Sequence, residues 1–385
     1  MTPPTFRGGP GFGARPAPEL AAAFAAMFAD VRTPALVVDE AAVELNLRLM
    51  TKLARSPERW RAHVKTAKAR WAMERLIVHG VTRFKASTTA ELATLLSLDV
   101  ADVLLAYPAV GPTQWRAAEL ASAHPGAAVS VLADSVAGIR TWRPGRVGAF
   151  IDVDTGMGRT GVPVDDHATV FAVADELARR GIPLRGLHGY DGHLADLPTP
   201  ERERAAADGL AAMTDLAEAL QAAGHVIGEL VVGGSHTFRE ILATPTPWSD
   251  RVTVGAGTVV YNDARSLARF GDIGFTAAAA VLTRVVSRPA AGRVTVDAGL
   301  TSIQVDAGRP HAESAGLVAV SAAQEHLVLS CAPGAEPEIG ELVTLVPRHV
   351  DTAVSQFGEM HVIGPDGRVR VEPVTARHHE SATVR

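Results

Sequence analysis

Lys65 is the first residue of chemical interest, because it directly follows a short run of residues typical of a buried strand. The segment reads R-A-H-V-K-T-A-K-A-R-W, and its first four residues predict a β-strand. A lysine amine in a partly dry site loses its proton more readily than one in water, which makes Lys65 a candidate Schiff-base nucleophile for carbonyl or pyridoxal phosphate chemistry. The alternative is an ordinary lysine whose ammonium lies in solvent.

A second set of residues has the types that bind phosphate. Glycines leave backbone amides open to an anion, and hydroxyl side chains add donors. Such residues occur in the segments G-G-S-H-T and G-A-G-T, as Gly233, Gly234, Ser235, Thr237, Gly255, Gly257 and Thr258. Glycine-rich strand ends are also common as plain turns, so neither segment is sufficient alone.

Two loops carry side chains that could act on a bound ligand. In D-T-G-M-G-R-T-G, the guanidinium of Arg159 could meet a phenolic oxygen or a carboxylate, and an ion pair with Asp152 or Asp154 is the alternative. In G-Y-D-G-H, Tyr190 offers a phenol and His193 an imidazole that could move a proton at neutral pH. A hydrogen-bonded structural histidine is the alternative for His193.

His349 and Asp351 form a candidate metal pair. They follow the run E-L-V-T-L-V-P two residues apart, and in an extended segment residues i and i+2 point to one face. An imidazole and a carboxylate could then bind one divalent cation and leave positions for water or substrate oxygens. Without an independent reason for a metal, such a pair on a strand is more often incidental.

The elements that must position these residues are short apolar runs that alternate with helical stretches. The eight runs cover residues 61–64, 83–87, 102–107, 129–133, 149–153, 184–190, 229–234 and 251–257. Helical periods cover residues 89–98, 166–180 and 200–223. Eight strands with intervening helices predict a (β/α)8 TIM barrel, whose active site forms at the carboxyl ends of the strands. An open doubly wound sheet is the rival.

After residue 272 the pattern changes to strands separated by glycine and proline turns, which predicts an antiparallel β domain. The strand-like T-P-A-L-V-V-D near residue 33 could join either sheet, and the tail from Thr375, with His378 and His379, is expected to fray. The expected domains are an N-terminal segment that could pack on the β domain (1–33), a barrel that binds pyridoxal phosphate (34–272) and a C-terminal β domain with the metal pair (273–385).

Composition narrows the class of partner. The chain has 385 residues and a formal net charge of -5, with acidic and basic residues interspersed. The partner is therefore expected to be a small-molecule substrate. The charge pattern does not favour binding to nucleic acid or to a membrane surface. The single cysteine, Cys331, excludes an intrachain disulfide framework and a multi-cysteine zinc cluster, which favours the cytoplasm. We expect no signal peptide and no membrane span.

Taken in order, these motifs resemble the D-threonine aldolase and D-serine dehydratase family, the metal-dependent branch of the alanine racemase-like fold. The resemblance runs from T-P-A-L-V-V-D to H-V-D at 351. Between them it includes R-x-H-x-K-T, M-G-R-T-G-V, G-L-H-G-Y-D-G-H, G-G-S-x-T, G-T-x-V-Y-N-D, V-D-A-G-L and Q-E-H. Each motif is weak alone, whereas seven or eight in order are highly specific.

By that resemblance Lys65 is joined covalently to pyridoxal phosphate, Arg159 contacts the oxygen side of its ring, and His193 removes the proton of a substrate β-hydroxyl. His349 and Asp351 would hold a divalent cation: manganese, magnesium or zinc. The other cofactor contacts that the resemblance implies are Tyr190, Gly233, Gly234, Ser235, Thr237, Gly257, Thr258 and Tyr261. It also implies a homodimer.

The implied activity is that of a lyase for D-β-hydroxy-α-amino acids. Retro-aldol cleavage to glycine and an aldehyde is expected, because Asp351 matches the aldolases of the family, whereas the dehydratases tend to have cysteine there. A D-serine or 3-hydroxy-D-aspartate dehydratase is the alternative, and a non-catalytic protein that binds pyridoxal phosphate is a remote one. A racemase typically needs a tyrosine from the β domain, and the three tyrosines here, Tyr107, Tyr190 and Tyr261, all precede it.

Departures from the family pattern leave the substrate side chain open. Ala67 replaces a usual histidine, Val259 replaces a usual tyrosine, and T-A-V-S-Q-F follows H-V-D in place of the usual proline and asparagine. Any contact that the missing imidazole makes to metal or substrate is absent in this chain.

Overall fold

The computed structural model describes Phe12, residues 24–312 and residues 316–380. The chain divides into two compact units. Unit 1 comprises Met1–Met50, Thr66–Ala72 and Thr258–Arg377, and unit 2 comprises Thr51–Lys65, Met73–Gly257 and His378–Arg385. Most of the predicted N-terminal segment, and the last five residues of the tail, lie outside the described residues.

The strands are short and mostly buried. In chain order they are β1 (Ala35–Asp39), β2 (Arg61–His63), β3 (Arg83–Ala86), β4 (Asp102–Pro108), β5 (Ala128–Ala133), β6 (Val147–Asp154), β7 (Val162–Pro163), β8 (Leu184–Gly189), β9 (Glu229–Val232), β10 (Val252–Val254), β11 (Ala279–Ala290), β12 (Arg293–Val296), β13 (His311–Ala312), β14 (Val318–Ala322), β15 (Leu327–Ser330), β16 (Leu342–Val346), β17 (Glu359–Ile363) and β18 (Val369–Pro373).

Most of the helices alternate with the strands of unit 2. They are α1 (Glu40–Ala54), α2 (Arg70–Val78), α3 (Thr89–Leu96), α4 (Pro112–Ala123), α5 (Val136–Arg140), α6 (His167–Arg179), α7 (Thr199–Ala222), α8 (Phe238–Ala243), α9 (Ala264–Phe270) and α10 (Val350–Val354). Among the described residues none of them is long and apolar enough to cross a membrane.

Unit 2 is a nearly closed barrel of eight parallel strands. Their order is β10-β9-β8-β6-β5-β4-β3-β2, and the short β7 pairs with β6 outside this path. The two ends of the sheet meet at a parallel bridge between Trp60 and Val254, and the His63 N–H donates to the Ala256 carbonyl at 3.3 Å. The predicted (β/α)8 barrel is therefore confirmed, and the open doubly wound sheet is wrong.

The helices of the barrel begin where the sequence provides a cap. Thr88 accepts a hydrogen bond from the backbone N–H of Glu91 at the start of α3, and Asp166 accepts one from Thr169 at the start of α6. Such side chains satisfy amides that have no partner within the helix. In α6 the buried positions recur at helical spacing, so one apolar face packs on the barrel.

Unit 1 is built on the predicted antiparallel sheet. Its strands run in the order β14-β15-β12-β11-β1-β17-β18, and β16 pairs with both β11 and β13. The strand β1 from the N-terminal part of the chain belongs to this sheet: it pairs antiparallel with β11 and parallel with β17, where Val37 lies opposite His361. One parallel pair thus interrupts the otherwise antiparallel order.

A buried charge cluster joins the amino ends of the barrel strands. Arg61, the first residue of β2, is fully buried and bonds Asp102 at 2.8 and 3.0 Å and Glu229 at 2.9 and 2.6 Å. Thr253 also donates to Glu229, at 2.6 Å. Burial alone would lower the pKa of Arg61, but the two carboxylates raise it above its usual value, so the guanidinium stays charged.

Replacing Arg61 with methionine is expected to lower the free energy of unfolding by about 3–5 kcal/mol, because it leaves the Glu229 charge buried without its partner. The matched control is Arg83→Met, since Arg83 is 37% exposed and lies 3.9 Å from Glu229. That change should cost less than about 1 kcal/mol. Denaturant unfolding followed by circular dichroism measures both, and equal losses would contradict a special role for the buried guanidinium.

Candidate active site

Lys65 lies just beyond the carboxyl end of β2 and is half-buried. Its backbone N–H reaches the Nδ1 of His63 at 3.4 Å, and the preceding residue, Val64, donates to the carbonyl of Lys85 at 2.9 Å. The strand therefore holds the lysine at the rim of the barrel, where parallel barrels place their active sites. The chain has four lysines in all, Lys52, Lys65, Lys68 and Lys85.

The two predicted phosphate segments of unit 2 lie against each other. The Ser235 hydroxyl accepts the N–H of Gly257 at 3.0 Å, and the Thr237 hydroxyl accepts the N–H of Gly234 at 3.2 Å. Gly233 has φ of 72°, a conformation that glycine adopts without strain. The loop then enters α8, so backbone amides and hydroxyls gather at one rim of the barrel.

Close contacts leave no room for a side chain at two of these glycines. A Cβ at Gly257 would lie 2.5 Å from the His63 carbonyl oxygen, and one at Gly234 would lie 2.8 Å from Cε2 of Tyr190. Gly257 is thus packed against the strand that delivers Lys65. A phosphate-bearing, ring-containing group such as pyridoxal phosphate fits this donor set: hydroxyls and amides on one side and an amine on the neighbouring strand.

Arg159, Tyr190 and His193 also lie at this rim. The guanidinium carbon of Arg159 is 5.0 Å from the centroid of the Tyr190 ring. His193 is exposed, and a Cβ at Gly156 would lie 3.2 Å from its Nε2. The predicted base therefore faces the loop that carries Arg159, with its ring accessible from solvent.

The two carboxylates that were the alternative partners of Arg159 are engaged by other groups. Asp154 accepts the backbone N–H groups of Gly156 at 2.9 Å, of Met157 at 2.7 Å and of Gly158 at 3.1 Å. Asp152 bonds the Nδ1 of His188 at 2.7 Å. The loop is thus held by Asp154, and the Arg159 guanidinium is directed toward Tyr190.

A buried chain of polar side chains, which the sequence analysis missed, crosses the barrel interior. The Nζ of Lys85 lies 2.9 Å from the Nε2 of His188, whose Nδ1 bonds Asp152, which in turn accepts from the Thr160 hydroxyl at 2.8 Å. Lys85, His188 and Asp152 are each at most 3% exposed. The available signal was a lysine and a histidine inside otherwise apolar strands.

Asp191 is another residue that the sequence analysis did not identify. It is 5% exposed, and neither carboxylate oxygen makes a hydrogen bond of normal geometry with the described residues, although the Thr237 hydroxyl lies close enough to act against the rise in its pKa. Burial raises the pKa of Asp191. A Cβ at Gly233 would lie 3.4 Å from its Oδ2, so the carboxyl stands beside the glycine loop. Buried polar groups normally form hydrogen bonds, and a bound ligand could supply a hydrogen-bond partner for this carboxyl.

The candidate metal pair lies in unit 1 in a different local structure from the one predicted. His349 is extended, with φ of -139° and ψ of 97°, but it caps α10, and Asp351 lies in the first turn of that helix. The prediction of an extended segment is therefore wrong. The side chains nevertheless face each other, with the Nε2 of His349 3.7 Å from the Oδ2 of Asp351.

Two other side chains orient this pair. Asp306, which the sequence analysis did not identify, bonds the Nδ1 of His349 at 2.6 Å, which leaves Nε2 as the ligand atom. The Thr66 hydroxyl donates to the Oδ1 of Asp351 at 2.6 Å. The carboxylates of Asp351 and then Asp306 raise the pKa of His349 to about 9, so a cation would have to displace a proton from the imidazole.

The donor chemistry fits a divalent cation held by few protein ligands. Nitrogen and carboxylate oxygen are donors that suit zinc and manganese. Within residues 24–312 and 316–380, no three His, Cys, Asp or Glu side chains converge to hold a metal. His349 and Asp351 would therefore share the cation with water or substrate oxygens.

Thr258 and Tyr261, which the sequence also predicted to contact the cofactor, lie in unit 1. Tyr261 is fully buried, and its hydroxyl donates to the carbonyl of Ala67 at 3.2 Å. Burial raises the pKa of Tyr261 above its usual value, so the phenol stays protonated. The carbonyl of Thr258 accepts the N–H of Asn262 at 2.7 Å.

Comparison with known proteins places the chain in a family. Residues 38–263 match the alanine racemase N-terminal domain, and residues 278–363 match a putative serine dehydratase domain. The D-threonine aldolase of Arthrobacter sp. is 30% identical over 337 residues, covering 84% of this chain and 86% of that protein. The chain belongs to the D-threonine aldolase and D-serine dehydratase family, with the alanine racemase-like fold. The resemblance read from the motifs is thereby confirmed.

Relatives in this family carry out two reactions. The D-threo-3-hydroxyaspartate dehydratase of Delftia sp. (strain HT23) is 28% identical over 374 residues, covering 88% of this chain and 96% of that protein. Among solved structures, the D-threonine aldolase of Filomicrobium marinum matches with a TM-score of 0.82 and 26% identity, covering 91% of this chain and 96% of that one. Both relatives are lyases, and the alanine racemase-like family implies pyridoxal phosphate as cofactor.

Gly257→Ala is expected to weaken pyridoxal phosphate binding by about tenfold or more, because the new methyl group would collide with a backbone carbonyl that cannot move aside. The change in cofactor absorbance on titration measures the dissociation constant. Gly126→Ala is the matched control, since nothing lies within 4 Å of a Cβ at that position in the same unit. Unaltered affinity in Gly257→Ala would show that these two segments do not bind the cofactor.

Proposed function

We propose that this chain is an aldolase that depends on pyridoxal phosphate and a divalent metal and cleaves D-threonine-like D-β-hydroxy-α-amino acids to glycine and an aldehyde. The observation that carries the proposal is the pair formed by His349 and Asp351. Its second member is a carboxylate, and its Oδ1 accepts a hydrogen bond from Thr66, the chain neighbour of Lys65. Thr66, which bonds this pair within unit 1, is thus the next residue in the sequence after the proposed cofactor lysine.

In this proposal some residues bind the cofactor and the cation, and another residue moves a proton. Pyridoxal phosphate, when bound, supplies an electron sink for negative charge at Cα, and a divalent cation supplies positive charge to a β-hydroxyl oxygen. Lys65 attaches the cofactor, while Ser235, Thr237 and the glycine amides bind its phosphate. Arg159 and Tyr190, which lie at the same rim, would contact and orient its ring.

His193 is the proton acceptor in this proposal. Its side chain is exposed and its Nε2 lies beside Gly156, so a substrate can reach it from solvent. It removes the proton of the β-hydroxyl as the bond between Cα and Cβ breaks. His349, with Nδ1 held by Asp306, would offer Nε2 to the cation.

A dehydratase is the second candidate, favoured by the similarity to the Delftia enzyme. Expulsion of the β-hydroxyl from D-serine or 3-hydroxy-D-aspartate would release ammonia and a keto acid from the same set of groups. The harder carboxylate ligand at Asp351 favours the aldolase, since a thiolate would select zinc more strongly.

Incubation of the protein with D-threonine or D-serine, with and without EDTA, distinguishes the two reactions. The expected result is glycine and acetaldehyde from D-threonine, lost on adding EDTA and restored by manganese. Ammonia without glycine would establish the dehydratase. Inertness toward both substrates, with the cofactor and metal bound, would contradict the proposed substrate class.

Lys65→Ala is expected to abolish the absorbance of the bound cofactor near 420 nm, because the amine that attaches it is gone. Borohydride reduction of the wild-type protein followed by peptide mapping should label the peptide with Lys65 and none of the other three lysines. Lys52→Ala, at an exposed position, is the matched control and should keep its colour. A label on Lys85 would move the attachment point to the neighbouring strand.

Asp351→Ala is expected to keep that absorbance but to lose activity by more than about 100-fold, because the cation loses a ligand while the barrel site is intact. Mass spectrometry measures the metal content of the variant, and absorbance near 420 nm measures its bound cofactor. Asp366→Ala, at an exposed position of the same unit, should change neither. A colourless Asp351→Ala protein would contradict the separate roles of lysine and metal pair.

A further inference from the structure

The turn that precedes α2 in unit 1 is bonded to the C-terminal tail. Residues 66–69 lie in neither a helix nor a strand, so their backbone groups need hydrogen-bond partners from elsewhere in the chain. The tail residues Thr375 and Ala376, which follow the end of β18, supply several of them. The sequence predicts that the tail frays from Thr375, but in the structure its first two residues are bonded.

Lys68 is the residue of the turn to which the tail binds. Its carbonyl accepts the N–H of Ala376 at 2.9 Å and the hydroxyl of Thr375 at 3.2 Å. The same hydroxyl accepts the N–H of Arg70 at 3.0 Å, and the Nζ of Lys68 donates to the Ala376 carbonyl at 3.4 Å. We call this arrangement of Lys68, Thr375 and Ala376 the tail clasp.

The backbone of Lys68 needs such support. Its φ is 48°, in the left-handed region that a residue with a Cβ occupies at a cost. A conformation of this kind persists only where the surrounding contacts hold it. Lys68 is 8% exposed, and the tail that binds it is itself fixed, because the N–H of Val374 donates to the Gly358 carbonyl at 2.9 Å. The clasp therefore joins the turn to the β domain.

The same turn carries the hydroxyl that bonds the metal pair. Thr66 is fully buried and donates to the Oδ1 of Asp351 at 2.6 Å, while the hydroxyl of Tyr261 donates to the carbonyl of the next residue, Ala67, at 3.2 Å. A threonine side chain has few rotamers, so the backbone of the turn determines where its hydroxyl lies. With Oδ1 bonded, the Oδ2 of Asp351 lies 3.7 Å from the Nε2 of His349.

We propose that the tail clasp is a positioning element of the metal site: it fixes the turn that places the Thr66 hydroxyl on the Oδ1 of Asp351, and so leaves Oδ2 facing His349. The inference rests on the proposed function, in which Asp351 and His349 bind a divalent cation. Thr375 and Lys68 are positioning residues, because they act on the carboxylate through Thr66. The tail thereby contributes to cation affinity although it supplies no ligand.

Manganese titration of the full chain loaded with pyridoxal phosphate, without substrate, tests the proposal. The electron paramagnetic resonance signal of unbound Mn²⁺ gives the dissociation constant. Thr375→Val removes the hydroxyl with little change of shape, and Lys68→Met removes the ammonium group. Each is expected to raise the dissociation constant by about tenfold, as for other residues that orient metal ligands. Thr375→Ser keeps the hydroxyl and should restore the wild-type value.

A double variant separates positioning from a general loss of stability. Thr66→Val alone removes the hydroxyl that bonds Asp351 and should also weaken Mn²⁺ binding. If the clasp acts through that hydroxyl, adding Thr375→Val to Thr66→Val weakens binding no further, because the two changes share one path. Effects that multiply in the double variant, or a wild-type dissociation constant in both Thr375→Val and Lys68→Met, would overturn the proposal.

Thr301→Val is the matched control. Thr301 is exposed in the same unit, and its hydroxyl donates to Glu325 at 2.7 Å, so its loss should leave the dissociation constant unaltered. Circular dichroism shows whether each variant is folded, and Lys68→Met decides the outcome should Thr375→Val not fold.

Asp351→Ala shows whether the titration measures the proposed metal pair. Binding of Mn²⁺ that this change does not weaken would reject the metal pair, and the clasp with it. Weaker binding in Asp351→Ala, with no change in the clasp variants, would reject the clasp alone and leave the proposed function in place.

Discussion

Closure of the parallel sheet is the constraint on which the site depends. The bridge between Trp60 and Val254 joins the first and last strands of the barrel, so that the carboxyl ends of strands far apart in sequence lie on one rim. Lys65, the glycine loop and Gly257 follow three of those strands. The amino ends are joined by the buried guanidinium of Arg61, so this ion-pair cluster and the candidate active site occupy opposite ends of the same barrel.

The parts of the structure that depend on local pattern could be predicted from the sequence. The eight apolar runs of the barrel and the change to an antiparallel sheet were recognised because buried parallel strands are continuously apolar and turns contain glycine and proline. The side chains of Lys65, Arg159 and Tyr190 were recognised for the same reason, since each follows such a run.

The parts that the sequence did not reveal depend on distant contacts. Lys85 and His188 meet across the barrel interior and are 103 positions apart, and Asp306 meets His349 across 43 positions. A lone lysine inside a strand does not indicate its partner. The predicted extended conformation of H-V-D was wrong for a related reason. The backbone enters the short helix α10 directly after His349, and the strands that precede this helix in the sequence did not indicate it.

The pairing of β1 has a consequence for how the protein is made. This strand leaves the ribosome before the barrel strands, yet its neighbours β11 and β17 come after all of them in the sequence. The barrel strands can pair during synthesis, each with its predecessor, whereas the edges of β1 must wait until β11 and β17 have been made. Its five residues, all buried and apolar except the last, therefore need protection from aggregation in the nascent chain.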